Sequence, residues 1–135
     1  MEDAVVCFRG RHASWLQAGW LVLREIRCSL LAGTLQVRDR VEQTSAAPAG
    51  SEFCGRLHLA AGIEVELESA SSFLLRSGNR EWRLRFSEGL SCGETRGHVS
   101  PGYGVVLPAA ILEYRFPASG SVSASFVLER LSTRT

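Results

Sequence analysis

Apolar and polar residues alternate with a period of two along most of the chain. Ile63-Glu64-Val65-Glu66-Leu67-Glu68 alternates without a break, with apolar side chains on one face and carboxylates on the other. Glu81-Trp82-Arg83-Leu84-Arg85-Phe86 repeats the pattern with arginines outside. Ser72 to Arg76 lies between the two, followed by Ser77-Gly78-Asn79, a hairpin turn signal. Thr34 to Glu42 alternates with Leu35, Val37, Asp39 and Val41 on one face, and Glu52 to Leu59 groups Phe53, Gly55, Leu57 and Leu59. Further strands are predicted over Gly19–Cys28, Val105–Leu107, Ile111–Phe116 and Ser121–Leu131, and at Ala4–Phe8. No window has the period of an amphipathic helix. Ala109 to Leu112 could make one turn, but Pro108 and Pro117 bracket a segment that suits a strand equally well.

Many short strands separated by Gly- and Ser-rich turns predict an all-β fold, an antiparallel β-sandwich of roughly ten short strands. A chain of 135 residues fits one domain and can bury a core without staples. Thr44 to Ser51 reads as a loop between strands. Gly89 to Gly104 is the longest stretch without periodicity and is expected to be irregular, either functional or wrapped on a sheet edge.

Composition narrows the function classes. All 15 basic residues are arginine, and 14 acids bring the net charge to +1. Arginine suits planar, bidentate contact with carboxylates and sulfates, which invites a polyanion-binding reading. Given the balanced charge, we read the missing lysines as the base composition of a GC-rich coding sequence. Bulk charge argues against nucleic-acid binding. No apolar run approaches a membrane span, and residues 1–10 do not read as a secretory signal. Cys7, Cys28, Cys54 and Cys92 form no C-x-x-C pair. One or two disulfides would need an oxidising compartment, and we expect four small buried hydrophobes instead.

Candidate chemistry is sparse. His12, His58 and His98 have no ligand spacing, so a metal site would need the fold to gather them with Asp39 or a cysteine; none is expected. His58 shares a more polar face with Arg56 and Cys54. Asp39, a carboxylate on an apolar face, needs a partner. Arg24, among Trp20, Val22, Ile26 and Cys28 on the preceding strand, is the expected one, in a structural ion pair. No nucleophile elbow and no phosphate-binding loop are present. Tyr103, between Gly102 and Gly104, could stack on a sugar or act as an acid, or simply lock a turn. Arg83 and Arg85 are expected to pair with Glu64, Glu66 or Glu68 if sheet order brings them together. That leaves Arg38, Arg40, Arg56 and Arg96, with Tyr103, as candidates for contact with an acidic sugar.

The order of these pieces resembles the C-terminal β-sandwich of heparinase II/III-like polysaccharide lyases. The most specific stretch is Gly97-His98-Val99-Ser100-Pro101-Gly102-Tyr103-Gly104, followed by Pro108-Ala109 and the strand Ile111-Leu112-Glu113-Tyr114. Arg24-Glu25-Ile26-Arg27, Leu35-Gln36-Val37-Arg38-Asp39-Arg40-Val41 and Arg56-Leu57-His58-Leu59 are similar to three earlier strands of that family. The resemblance implies a domain, residues 1–135, from the C-terminal part of a larger protein. That protein would cleave uronic-acid polysaccharides by β-elimination. It also implies an N-terminal α/α toroid and an upstream β region as packing partners, and a periplasmic or secreted parent. The family's catalytic residues and zinc ligands lie upstream of the matched segment. No catalytic residue and no cofactor are therefore carried over to this chain, whose expected job is to help shape one wall of the polysaccharide cleft. The alternatives are a free-standing carbohydrate-binding or interaction module, and a small metal-dependent enzyme built on His58, His98 and Asp39.

Overall fold

The computed structural model describes residues 4–46 and 50–131. Ten strands form two antiparallel sheets, as the alternation predicts. They are β1 (Val5–His12), β2 (Trp20–Ser29), β3 (Thr34–Gln43), β4 (Glu52–His58), β5 (Glu64–Ser69), β6 (Ser72–Ser77), β7 (Arg80–Phe86), β8 (Ser91–Gly102), β9 (Val105–Pro117) and β10 (Ser121–Arg130). One sheet has seven strands in the order β1-β2-β3-β10-β7-β6-β5; the other has three, β4-β9-β8. A 3-10 turn, Leu16–Ala18, lies between β1 and β2. No helix among the described residues is long and apolar enough to cross a membrane.

The sheets close on a core set by strand parity. Phe73 and Leu75 of β6, Leu84 and Phe86 of β7, Ala124 and Phe126 of β10, and Val37 and Val41 of β3 face Leu112, Tyr114 and Phe116 of β9. Phe86, Tyr114 and Phe126 meet with ring centroids 5.3–6.2 Å apart. The β6–β7 turn is the expected one, with Gly78 at φ 58°, the left-handed backbone a tight hairpin needs at that position.

Three sequence expectations change. The stretch Gly89–Gly104 is largely strand: β8 runs over Ser91–Gly102. It lies at the edge of the small sheet and is exposed over much of its length, so nothing enforces an alternating pattern. Of its glycines, Gly97 leaves room for a neighbour, since a Cβ there would meet Ile111 Cδ1 at 2.4 Å. The segments Val105–Leu107 and Ile111–Phe116 join into one strand through Pro108. Proline is tolerated there because backbone pairing on the β4 side ends at Ala110, leaving Pro108 with β8 as its neighbour. The cysteines are not four buried hydrophobes. All four are free, Cys7 and Cys54 are exposed, and Cys28 and Cys92 are half-buried. Of the loop expected over Thr44–Ser51, residues 47–49 lie outside the described residues.

Candidate functional site

Asp39 is the centre of a cross-sandwich strut. In the β2–β3 register it stands opposite Arg24. The guanidinium grips its carboxylate with both arms, Nε to Oδ1 at 2.7 Å and Nη2 to Oδ2 at 2.8 Å. From the other sheet, the Tyr114 hydroxyl donates to Oδ2 at 2.9 Å. A buried carboxylate is tolerable only when charge and hydrogen bonds replace its water, and this one has both. The bond to Asp39 strengthens the hold of Arg24 on its proton. Burial, then the charge of Asp39, pushes the Tyr114 phenol well above its ordinary range, so Tyr114 is a donor at neutral pH.

Gly55 makes the strut possible. A Cβ at this position would lie 2.0 Å from Tyr114 Cζ and 2.4 Å from its hydroxyl oxygen. The ring therefore crosses β4 through the gap that glycine leaves. Sequence reasoning found Arg24 and Asp39 but missed Tyr114 and Gly55. Both left a signal: Tyr114 shares parity with Leu112 and Phe116, so its hydroxyl had to find a partner in the core. A lone glycine on the apolar face of a strand marks a close approach.

The three strut residues line a cleft of about 560 Å³ between β4 and β2. Trp20, Phe53 and Phe116 line its apolar wall, and His12 and Trp15 also border it. Trp20 meets Phe53 edge-on at 5.4 Å, and Phe53 stacks on Phe116 at 5.8 Å. Trp15 is about half exposed at the lip. Within the Asp39 contact, Arg24 commits Nε and Nη2, while Nη1 takes no part. A second hollow, of about 420 Å³, continues the cleft across β2 and β1, over Val22, Phe8 and Gly10.

The other predicted residues are not brought together. Arg38 and Arg40 lie on the outer face of the large sheet, where Arg38 stands across from Glu25 and Arg40 pairs with Glu42 at 2.9 Å. Arg56 lies on the outer face of the small sheet, 3.7 Å from Glu113. Arg96 is on β8, 3.7 Å from Glu94. Tyr103 is fully exposed in the turn between β8 and β9, the tip of an arm that also exposes Val105 and Val106. The outward arginines of the β5–β7 region are paired. Arg83 holds Glu68 at 2.9 Å across the intervening β6, Arg76 contacts Glu66 and Glu81, and Arg85 takes Glu129.

Among the described residues the histidines and cysteines stay apart. His12, His58 and His98 lie on β1, β4 and β8, and among the described residues no three His, Cys, Asp or Glu side chains gather. Burial raises the Cys54 and Cys92 thiols, the reverse of an activated nucleophile.

No family model matches the sequence, and none of the curated proteins does. Solved structures do match. Heparan sulfate lyase HepC from Pedobacter heparinus is similar over 100% of this chain with a TM-score of 0.81 and 10% identity. A heparinase III structure is similar over 98% with a TM-score of 0.79 and 14% identity. This chain spans only 21% and 20% of those two chains, about a fifth of their length. The fold of this chain is thus the fold of a β-sandwich portion found within larger heparinase III and heparan sulfate lyase structures.

Proposed function

We propose that this chain is a non-catalytic β-sandwich module of a larger protein related to polysaccharide lyases. In this reading it holds no cofactor of its own, packs on an α/α toroid and an upstream β region, and forms one wall of a cleft for an acidic, uronate-bearing polysaccharide. The observation that carries the reading is the match of the whole chain to about a fifth of a heparan sulfate lyase structure. The β8–β9 arm supports the wall. Tyr103 at its tip offers an aromatic face to a sugar ring, and Arg96 on the same hairpin offers a guanidinium to a carboxylate or sulfate.

β-Elimination leaves an unsaturated uronate that absorbs in the ultraviolet, so product formation is directly readable. The polypeptide containing this module should produce that absorbance from heparan sulfate, and residues 1–135 alone should not. Tyr103→Ala and Arg96→Ala in the larger protein should raise KM with little change in kcat, the signature of binding shared by ground and transition states. Elimination by residues 1–135 alone would overturn the reading.

A second reading, a free-standing carbohydrate-binding module, is favoured by one observation: the aromatic cleft that Arg24 helps to line. It predicts that a uronate oligosaccharide shifts the amide signals of Trp15 and Arg24 in the isolated chain. No shift at millimolar oligosaccharide would remove it.

A further inference from the structure

The two sheets are unequal, and the excess lies at one end. The small sheet has three strands against seven, and the buried side chains of the large sheet sit mainly on β3, β10, β7 and β6. β1 contributes no buried residue, and on β2 only Trp20 is buried. Yet the inward-facing positions of β1 and β2 are written for cover. Val6, Phe8, Val22 and Ile26 point to the sandwich side together with Gly10, His12 and Arg24; Val22 and Ile26 already pack partly against the core, while Arg9, Glu25 and Arg27 form ion pairs on the opposite face. Val6 and Phe8 are each 61% exposed.

The small sheet stops short of this flank at β4, whose hydrogen-bonding phase can be read directly. The Leu59 N–H donates to the Ala110 carbonyl at 3.1 Å, and the Ala118 N–H to the Ser51 carbonyl at 2.9 Å. In an antiparallel pair such residues recur at every second position. Phe53, Gly55 and Leu57 therefore spend their backbone groups on β9. Cys54, Arg56 and His58 aim their N–H and C=O groups at the opposite edge, and among the described residues no strand pairs there. That edge is the rim of the cleft, and the floor beyond it is β2 and β1. Strands in a sheet lie about 4.8 Å apart, so an uncovered β1 beside a part-covered β2 leaves room for one more strand beside β4.

We propose that β4 accepts an added strand on this edge, supplied by the portion of the polypeptide outside residues 1–135, and that this strand roofs β1 and β2. The proposal rests on the reading of the chain as part of a larger lyase-related protein. The open backbone edge selects an extended segment over a helix or a small ligand. The incoming strand would alternate, placing apolar side chains over Phe8 and Ile26 and an acceptor over Arg24. A second copy of the chain does not fit the same place. Each large sheet protrudes past β4, so two copies joined edge to edge through β4 would drive their β1–β2 flanks into each other.

The test is amide hydrogen exchange at Cys54, Arg56 and His58, in residues 1–135 alone and in the complete polypeptide. Exchange should slow by on the order of 100-fold or more in the complete polypeptide. Phe8→Glu should leave the isolated chain folded and remove much of that added protection. A complete polypeptide in which these amides exchange as fast as in the isolated chain overturns the added strand and leaves the parent reading standing. A polypeptide that holds no segment beyond these residues overturns the parent reading itself. Slow exchange in the isolated chain, with a dimer in sedimentation, would put a second copy on the edge and overturn the proposal.

Discussion

The middle of the sandwich and its β1–β2 flank use the same alternation and reach opposite ends. In the middle, Phe73, Leu84 and Leu112 are at most 2% exposed, each pressed against the opposing sheet. On the flank, Val6 and Phe8 follow the same inward parity and meet no opposing sheet. Alternation fixes which way a side chain points; a second layer decides whether it is buried. The Arg24–Asp39–Tyr114 strut stands at the border between these regions, pinning the last covered part of the large sheet to β9.

Stability measurements on the isolated chain can break this contrast. The largest effect belongs to the covered region: Phe73→Ala should cost about 3–5 kcal/mol in urea unfolding. Phe8→Ala, the matching truncation on the flank, should cost under about 0.5 kcal/mol, as for an ordinary surface position. Equal costs would show that the flank is packed after all. Asp39→Ala should come next, at about 2–3 kcal/mol, because it strands the Tyr114 hydroxyl and frees a half-exposed guanidinium. Gly55→Ala should cost about 1–3 kcal/mol by forcing Tyr114 out of its gap. Combined with Tyr114→Ala, that penalty should largely vanish, a coupling a double-mutant cycle reads directly.

The smallest effect is electrostatic. Carboxyls on the outer surfaces are held below the ordinary value of 4.5: Glu25 by Arg9, Glu68 by Arg83, and Glu113 by Cys54 and Arg115. A depressed native pKa means that the unfolded chain takes up its proton first as pH falls. The contribution of these groups is therefore complete above about pH 4.5 and is lost progressively below it, down through their native pKa values. Unfolding midpoints from pH 7 to 3 should show a shallow fall that added salt reduces. A flat profile would mean these ion pairs do nothing for the fold.

Much of this was legible in the sequence, for a physical reason. A strand buried on one face must alternate, so β3, β4 and β7 announced themselves, and the parity of Asp39 required Arg24 beside it; β5 alternates as well, although it is an exposed edge strand. β8 was illegible because its three glycines and a proline break the apolar alternation, and an exposed edge strand does not require that alternation. β9 was read as two pieces because Pro108 looks like a terminator until it is known that only one neighbour flanks it. The strut was half legible: cross-strand pairing follows from order along the chain, but the contact between Tyr114 and Asp39 depends on how the sheets stack. The same gap explains the surface arginines. Arg38, Arg40, Arg56 and Arg96 look alike in sequence, and sheet assignment spreads them over both sheets.

The central claim is that the sandwich is closed in its middle and open along β4. Site-resolved amide exchange in residues 1–135 tests it within a single strand. Phe53, Gly55 and Leu57, bonded to β9, should exchange only through large-scale unfolding, while Cys54, Arg56 and His58 between them should exchange quickly. Fast and slow amides in strict alternation along β4 is the result this account predicts; uniform protection from Phe53 to His58 would contradict it.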